Sequence, residues 1–187
     1  MSGLRVIAGA ARGRRLKLVP GAGTRPVTDR VKEALFNILG QDVQGAAILD
    51  LFAGTGSIGI EALSRGAVQA VFVEQERLAV KTISENLKHT GLEARARVVR
   101  SDVFRFLESP ARQPFDLVYI APPQYAELWS RTLAALDAQP GWLNPDGLAI
   151  AQIHPVEFKD LPLQRLRLDD KRKYGSTLLC FYENPGE

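Results

Sequence analysis

The chain has 187 residues, of which 45% are hydrophobic and 24% are charged, and this balance is that of an ordinary globular protein. The length predicts one domain with at most a small appendage and excludes two full-sized domains. No apolar stretch approaches the roughly 20 residues that a membrane helix needs, and no basic, apolar leader opens the chain, so we expect a cytoplasmic protein. We also expect it to be a monomer.

The net charge of +3 is unevenly distributed along the chain. Residues 1–32 contain eight lysine and arginine side chains and a single carboxylate, which leaves the remainder slightly acidic. A basic arm beside such a body is typical of an enzyme that binds a polyanion, because phosphate contacts give sequence-independent affinity and steering. The solvated face of a strand pair is the alternative interpretation. The candidate RNA-contacting residues are Arg5, Arg12, Arg14, Arg15, Lys17, Arg25 and Arg30.

Residues 48–59 contain the most informative pattern of the chain. They start as a continuous apolar run through Asp50, typical of a parallel strand buried on both faces, and turn through Gly54, Gly56 and Gly59 into an apolar-periodic segment. A strand–loop–helix junction of this kind lies at the carboxyl edge of an open sheet, where ligands bind and helix N–H groups face the crevice. The pattern therefore predicts a site for a nucleotide-like cofactor.

The identity of that cofactor depends on Asp50. The three glycines match the G-x-G-x-x-G pattern of nicotinamide and flavin enzymes, so an oxidoreductase is one interpretation. A carboxylate four residues before the first glycine would repel a pyrophosphate, but it could hold the ammonium group of an amino acid. The stretch resembles the cofactor loop of Rossmann-like, S-adenosylmethionine-dependent methyltransferases. That resemblance implies a phosphate-free sulfonium cofactor, held by Asp50, Phe52, Ala53, Gly54 and Gly56.

The remaining patterns alternate between strand and helix and predict an α/β sheet with helices on both faces. Thr28 and Asp29 are suited to the start of a helix that Gly40 can end. Before it, alternating basic and apolar residues predict a hairpin with strands 4–9 and 14–19. The other predicted helices are 57–65, 77–89 and 125–138, and the other predicted strands are 70–74, 94–100, 115–120 and 148–153, followed by a pair at 163–168 and 176–182 around a loop at 169–175.

Acidic side chains stand at the ends of two further predicted strands. Glu74 lies 18 residues after Gly56, where it could accept two hydrogen bonds from ribose hydroxyls. Asp102 matches the superfamily position that accepts from the adenine amino group, and Val103 or Phe104 could cover the ring. A helix N-cap is equally good local chemistry for Asp102.

Three amino-terminal segments extend the resemblance to a family. The sequences Arg-Val-Ile-Ala-Gly at 5–9, Arg-Gly-Arg-Arg-Leu at 12–16 and Arg-Pro-Val-Thr-Asp-Arg-Val-Lys-Glu-Ala-Leu-Phe-Asn at 25–37 resemble the signature of the RsmD family. Members of that family methylate the exocyclic N2 of a guanine in small-subunit ribosomal RNA. The resemblance implies a seven-stranded, mostly parallel class I methyltransferase sheet at 41–187, preceded by a basic hairpin-and-helix extension at 1–40. It also implies S-adenosylmethionine as cofactor, and ribosomal RNA or a small-subunit assembly particle as partner.

The fourth predicted strand runs into the sequence Ala-Pro-Pro-Gln-Tyr at 121–125, whose prolines leave rigid carbonyls at the strand end. In the amino-methyltransferases that this loop resembles, an Asp or Asn precedes the prolines and an aromatic residue follows them directly. The acceptor side chain and the first proline carbonyl bind the amine, and the ring stacks on the flipped base. The resemblance thus assigns the catalytic positions to Pro122, Pro123, Gln124 and Tyr125.

The loop also departs from that pattern, because position 121 is alanine and the aromatic residue comes one position late. The Pro122 carbonyl, helped by Gln124, then becomes the expected amine acceptor, or else the enzyme is weak or altered in substrate. The alternative interpretation is that the Pro-Pro sequence forms a purely structural turn. Ala121 also keeps open an RNA-binding or assembly protein that retains the cofactor pocket with little turnover.

Cys180 and His154 could in principle react or bind a metal, but we interpret both as structural residues. Cys180, the single cysteine, lies in an apolar run without a disulfide partner and is expected to fill a buried strand. His154 has no nearby cysteine or second histidine, so no metal site is expected.

Overall fold

The structure is a computed structural model that describes residues 3–23 and 26–186. Arg25, one of the predicted RNA-contacting residues, lies outside the described residues. The strands are β1 (Ala47–Leu51), β2 (Gln69–Glu74), β3 (Ala96–Arg100), β4 (Phe115–Ile120), β5 (Leu143–Ile153), β6 (Arg167–Tyr174) and β7 (Thr177–Glu183). The helices are α1 (Asp29–Leu39), α2 (Ser57–Ser64), α3 (Arg77–Thr90), α4 (Val103–Glu108) and α5 (Leu128–Ala138), with short 3-10 turns at Gly40–Val43, Glu93–Arg95, Pro140–Trp142 and Pro155–Glu157.

The seven strands form one sheet in the order β3-β2-β1-β4-β5-β7-β6. Strands β1 to β5 pair in parallel, and β7 is antiparallel to both of its neighbours. The strand order reverses between β1 and β4, so this is the switch point at which open α/β sheets bind ligands. The predicted fold is confirmed: a mostly parallel, seven-stranded class I methyltransferase sheet.

Helices cover both faces of this sheet. On one face, α1, α2 and α3 pack on the strands through Leu35, Phe36, Ile60 and Ile83. On the other face, α4 and α5 contribute Leu107, Trp129 and Leu133 to a second apolar cluster. All five residues of β1 are buried, as its continuous apolar pattern predicted.

The start of α1 follows the prediction, because Thr28 Oγ1 accepts a hydrogen bond from the Val31 N–H and Gly40 ends the helix with a φ of 52°. Several other boundaries were wrong. Strand β5 begins at Leu143 and not at the predicted 148, and residues 163–166 of the predicted strand 163–168 precede β6. Helix α5 begins at Leu128 because Tyr125 and Glu127 have left-handed φ angles of 63° and 53°. The predicted loop 169–175 belongs largely to β6, since the chain reverses only at Gly175, where φ is 59°. The predicted third strand starts two residues late, after the turn Glu93–Arg95.

The predicted amino-terminal hairpin is present in a shortened form, with an antiparallel bridge between Arg5 and Arg15. The Val6 N–H donates to the Arg14 carbonyl at 2.9 Å, and the Leu16 N–H donates to the Leu4 carbonyl at 2.8 Å. Backbone donors between the two paired stretches bind α2 and do not extend the strand pairing. The N–H groups of Ile7 and Ala8 donate to the two carboxylate oxygens of Glu61, at 2.9 and 3.1 Å. Residues 3–23 are therefore attached to α2, the helix that follows the glycine loop.

Lys32 of α1 completes this attachment. Its Nζ lies 3.4 Å from Glu61 Oε2, and both side chains are fully buried. It also donates to Ser57 Oγ, at 3.0 Å, and to the Arg5 carbonyl. Burial lowers the pKa of Lys32, and the Glu61 carboxylate opposes that shift. One ammonium thus joins the amino-terminal segment, α1 and the first residue of α2.

Ser64, at the other end of α2, fixes the same segment. Its Oγ donates to the Ala8 carbonyl at 2.6 Å and accepts from the Ala11 N–H at 2.9 Å. Gly9 lies between them with a φ of 86°, and a Cβ there would lie 1.9 Å from the Ser64 carbonyl oxygen. Only glycine allows the chain to approach α2 this closely.

Replacing Lys32 with methionine should lower the free energy of unfolding by about 3 kcal/mol, because the Glu61 carboxylate then stays buried without its ammonium partner. Urea unfolding followed by circular dichroism measures the change. Lys81→Met is the matched control, since Lys81 lies 4.0 Å from Glu85 on the exposed side of α3 and should cost less than about 1 kcal/mol. Equal losses in the two variants would contradict a structural role for the buried pair.

Candidate active site

Asp50, the first of the predicted cofactor residues, is buried at the end of β1. It is only 2% exposed, and its Oδ2 accepts a hydrogen bond of 3.1 Å from the Gly59 N–H in α2. A Cβ at Gly59 would lie 2.3 Å from the Phe72 ring of β2. Gly59, the third glycine of the motif, therefore allows α2 to pack directly on the sheet and to bind the Asp50 carboxyl group.

The loop between β1 and α2 has a left-handed backbone at three positions. Phe52, Gly54 and Gly56 have φ angles of 58°, 57° and 80°. Glycine adopts this conformation freely, whereas it is unusual for a phenylalanine and marks local strain at a functional loop. The Ala53 N–H donates to the Val73 carbonyl at 3.1 Å, and this bond ties the loop to the end of β2. The glycines thus bend the chain so that the start of α2 faces the carboxyl edge of the sheet.

Glu74 is the last residue of β2, the neighbour of β1. Its Oε2 accepts from the Gly54 N–H at 2.9 Å, and its Oε1 accepts from the Glu76 N–H at 3.0 Å. The carboxylate is half-buried beside the glycine loop. The sequence placed Glu74 at this strand end, but it gave no sign that Glu74 would also hold the loop.

Asp102 follows β3, on the other side of β2. Its Oδ1 accepts a hydrogen bond of 3.0 Å from the Arg105 N–H, so it is the N-cap of α4. The preceding Ser101 N–H donates to the Glu74 carbonyl at 3.1 Å. The local N-cap role is thus present, and Asp102 lies exposed at the same sheet edge as Glu74. Val103, the other residue predicted at this position, is buried in the first turn of α4.

The electrostatics of the site are dominated by the burial of Asp50. Desolvation raises its pKa to about 8, and the nearby charge of Glu74 adds to the shift, while the Gly59 hydrogen bond opposes it. Burial also raises the pKa of Tyr119, which lies beside Asp50 in the sheet. A buried carboxyl group of this kind would be stabilised in its charged form by a cation.

The acceptor groups at this edge fit a cationic adenosine derivative better than a dinucleotide. The structure brings Asp50, Glu74 and Asp102 to the carboxyl ends of three adjacent parallel strands. Glu74 and Asp102 would repel a pyrophosphate, and the three acids together offer acceptors to ammonium, hydroxyl and amino groups. The residues present therefore fit S-adenosylmethionine.

The Pro-Pro loop leaves β4 at the same edge of the sheet. Pro122, Pro123 and Gln124 form an irregular segment that ends at Tyr125, whose side chain is 67% exposed. The Tyr125 backbone N–H donates to Glu157 Oε1 at 2.7 Å. The predicted catalytic positions thus lie in one loop beside the cofactor edge, with the aromatic ring facing solvent.

The sequence did not predict a role in the site for three polar residues at or just after the end of β5, the neighbour of β4. Gln152 accepts a hydrogen bond from the buried Tyr119 hydroxyl. His154 lies 5.9 Å from Tyr125, ring centre to ring centre, and Glu157 contacts the backbone of both. The His-Pro-Val-Glu sequence at 154–157 is a capping signal with a proline at its first helical position, and it could have indicated this turn.

The predicted RNA-contacting residues that the structure describes are all exposed. Three of them contact other parts of the protein: Arg5 pairs with Asp29 at 3.1 Å, Arg14 donates to the His89 carbonyl at 2.6 Å, and Lys17 pairs with Glu85 at 3.0 Å. Arg12, Arg15 and Arg30 have no ion pair within residues 3–23 and 26–186. Exposed guanidinium groups of this kind are available to a phosphate backbone.

The described part of the chain also bears on membrane spanning, metal binding and the state of the single thiol. No helix there has the length and apolar character needed to cross a bilayer. No group of three histidine, cysteine or acidic residues within it could hold a metal ion. Cys180 is buried in β7, as predicted, and burial raises the pKa of its thiol to about 12.

Comparison with known proteins places these features in a family. The model of the family described as "Conserved hypothetical protein 95" matches residues 4–183. YlbH of Bacillus subtilis, provisionally named an rRNA methyltransferase, is 40% identical over 187 residues, covering 98% of this chain and all of that protein. "Ribosomal RNA small subunit methyltransferase D" of Haemophilus influenzae is 38% identical over 162 residues, covering 86% of this chain and 81% of that protein.

Solved structures agree with this result. An Escherichia coli protein provisionally named a methyltransferase, yhhF, superposes with a TM-score of 0.85 at 33% identity and covers 98% of each chain. An RNA methyltransferase from Salinibacter ruber, solved with S-adenosyl-L-homocysteine, shares the fold with a TM-score of 0.65 at 20% identity, over 87% of this chain and 95% of that one.

The fold and the strand-end acids define a class I methyltransferase. Within that class, the chain belongs to the family of ribosomal RNA small subunit methyltransferase D, the RsmD family. The amino-terminal resemblance is therefore confirmed, and the methyltransferase interpretation is favoured over the oxidoreductase.

Asp50 should make the stability of the ligand-free protein fall as the pH rises from about 4 to about 8. In this window the folded state keeps a proton on Asp50 that the unfolded chain has released, so raising the pH favours unfolding. Asp50→Asn removes this contribution. We therefore expect the variant to gain stability relative to the wild type between about pH 5.5 and about pH 8 in urea unfolding. A constant difference over this range would show that Asp50 is ionised in the folded protein.

Proposed function

We propose that this protein is an S-adenosylmethionine-dependent methyltransferase that modifies the exocyclic N2 of a guanine in small-subunit ribosomal RNA. The observation that carries the proposal is the meeting of three acids and a Pro-Pro loop at one edge of four adjacent parallel strands. The family membership supports the ribosomal substrate, because the Haemophilus influenzae relative is named for the small subunit.

Each of the three strand-end acids binds a different part of the cofactor. Asp50 holds the cationic amino group, Glu74 accepts from the ribose hydroxyls and Asp102 accepts from the adenine amino group beside Val103. Phe52, Ala53, Gly54 and Gly56 form the loop that follows the amino-acid end of the ligand. When bound, the cofactor supplies an electrophilic methyl group, so the protein has mainly to position the substrate and exclude water.

The Pro-Pro loop presents the guanine. A base inside a duplex is out of reach, so the enzyme must take it out of the stack and place it against Tyr125. The Pro122 carbonyl accepts a hydrogen bond from the exocyclic amine, with Gln124 beside it, while Pro123 stiffens the loop. Because Ala121 offers no side-chain acceptor, positioning rests on the backbone to a greater extent than it would with an acid or amide there.

The basic amino-terminal extension, residues 1–40, binds the RNA backbone, and residues 41–187 form the methyltransferase domain. The attachment of residues 3–23 to α2 supports a fixed distance between phosphate contacts and the cofactor loop. We further propose that the protein acts as a monomer in the cytoplasm, on free ribosomal RNA or on a small-subunit assembly particle.

Transfer of a radiolabelled methyl group to small-subunit RNA or to immature small subunits tests the proposal, with mass spectrometry to locate N2-methylguanine. We expect transfer to at least one of the two substrates. Tight cofactor and RNA binding without any transfer would favour the alternative of an assembly protein, for which Ala121 is the specific evidence. Methylation of another atom would refute the assignment to guanine N2.

Ala121→Asn should raise kcat by about tenfold, because it adds a side-chain acceptor for the amine. The cofactor Kd, measured by calorimetry, should stay within about twofold of the wild type, since position 121 follows β4 and not the glycine loop. Ala121→Val is the matched control, because it adds bulk without an acceptor and should give no gain. A large loss of cofactor binding in Ala121→Asn would show that the Pro-Pro loop has been assigned the wrong role.

Charge reversal at Arg15 should weaken RNA binding and reduce the slope of log affinity against log salt by about one or more, because the variant neutralises fewer phosphates. Arg112→Glu is the matched control, because Arg112 is exposed in the loop before β4, at the opposite edge of the sheet. Fluorescence anisotropy at several salt concentrations compares the two variants. Identical slopes would place the phosphate contacts elsewhere on the protein.

A further inference from the structure

The segment after β5, residues 154–159, is linked to the Pro-Pro loop by side chains that the motifs do not include. Glu157 is the main link: its Oε1 accepts from the Tyr125 N–H at 2.7 Å, and its Oε2 accepts from the His154 N–H at 3.1 Å. Lys159 is the second link, with its Nζ 2.8 Å from Glu127 Oε1. The ends of β4 and β5 are thereby joined beyond the last sheet hydrogen bonds.

These two links hold the strained part of the loop. Tyr125 and Glu127 are the two residues of the loop with left-handed φ angles, 63° and 53°. Residues other than glycine disfavour this conformation and keep it only when their surroundings impose it. Glu157 binds the backbone of the first and Lys159 binds the side chain of the second, so the segment 154–159 stabilises the loop conformation that exposes the Tyr125 ring.

The same segment adds its own exposed apolar surface beside that ring. The His154 ring lies 5.9 Å from the Tyr125 ring at an interplanar angle of 39°. Its Nδ1 accepts from the Val156 N–H at 3.2 Å, which fixes the ring orientation. Tyr125 and Val156 are 67% and 73% exposed, high values for side chains of this size. The exposed Tyr125 ring, the partly buried His154 ring and the exposed Val156 side chain thus lie together at the edge where the cofactor acids lie.

We propose that Tyr125, His154 and Val156 form a composite binding surface for an unstacked purine base, with Glu157 and Lys159 as positioning residues. The inference rests on the proposed function, since the base is the one that receives the methyl group. Aromatic faces bind unstacked bases because every base has a π face, and this surface stands beside the carbonyls of the Pro-Pro loop. The β5 segment is therefore the second half of the substrate site.

Two substitutions at His154 separate stacking from other roles. His154→Ala should raise the KM for RNA about tenfold and weaken equilibrium RNA binding by a similar factor, whereas His154→Phe should restore both. Glu157→Ala should lower kcat/KM by as much as about a hundredfold, because a small displacement of the base relative to the methyl donor is enough to slow transfer. All variants should bind S-adenosylmethionine with wild-type affinity in calorimetry.

Glu93→Ala is the matched control, because Glu93 is exposed in the turn before β3 and takes no part in the site. Thermal unfolding of each variant separates loss of the fold from loss of the binding surface. Normal RNA binding and KM in His154→Ala, failure of the phenylalanine to restore them, or a fall in cofactor affinity as large as the RNA effect would each overturn the inference. If the wild type binds RNA but transfers no methyl group, the proposed function fails, and the binding series alone then decides whether the surface exists.

Discussion

The contact between Gly59 and the sheet determines how this molecule builds its site. Because Gly59 has no side chain, α2 packs against the Phe72 ring, and the Gly59 N–H reaches the buried Asp50 carboxyl group. The glycine loop must then make its turn in the short space between β1 and α2, which it does with three left-handed residues. Glu74 holds that loop from the next strand through the Gly54 N–H. The strand-end acids are thus part of the structure that shapes the site as well as candidates for ligand binding.

The amino-terminal segment, residues 3–23, is held in place by the same helix, α2. Glu61 accepts two backbone hydrogen bonds from this segment and receives Lys32 in a fully buried ion pair. Desolvating two charges is costly, and such a pair is stable only when further hydrogen bonds complete it. Here Ser57, the Arg5 carbonyl and Arg65 provide them. The eight basic residues of the front segment are therefore not equivalent, since Lys32 is structural and the exposed arginines are available to a polyanion.

Most of the fold could be predicted because it depends on local periodicity. The buried β1 pattern, the Thr28 cap and the glycine loop each have one dominant structural solution, and the structure shows it. The errors fall where long-range contacts decide the conformation. Alternating residues at 4–9 and 14–19 predicted a full hairpin, but strand pairing is limited to residues 4–6 and 14–16. Beyond them, Glu61 and Ser64 accept the backbone hydrogen bonds that a longer strand pair would have used. Helical periodicity through Tyr125 was overridden by a loop that Glu157 and Lys159 hold in place.

In the candidate site, too, features set by local sequence could be predicted and features set by long-range contacts could not. Strand-end acids can be located from sequence, because parallel strands end at a common edge. Residues after β5 could not be located in this way, since only the pairing of β5 with β4 brings His154 and Glu157 beside Tyr125. The N-cap bond of Asp102 was visible locally, and its position next to Glu74 required the order of β3 and β2.

The attachment of residues 3–23 to α2 has a consequence for protein engineering. A basic arm that met the catalytic sheet through a flexible linker could be grafted onto a different methyltransferase to redirect it to RNA. In this molecule the arm has only a short strand pairing of its own and is held by Glu61 and Ser64 of α2 and by Asn86 of α3, which binds both backbone groups of Lys17. A recipient scaffold would have to carry the equivalents of these three side chains. Chimeras that exchange the arm together with α1, α2 and α3 should fold. Chimeras joined between the arm and α1 would leave a buried carboxylate in one parent and an unformed arm in the other.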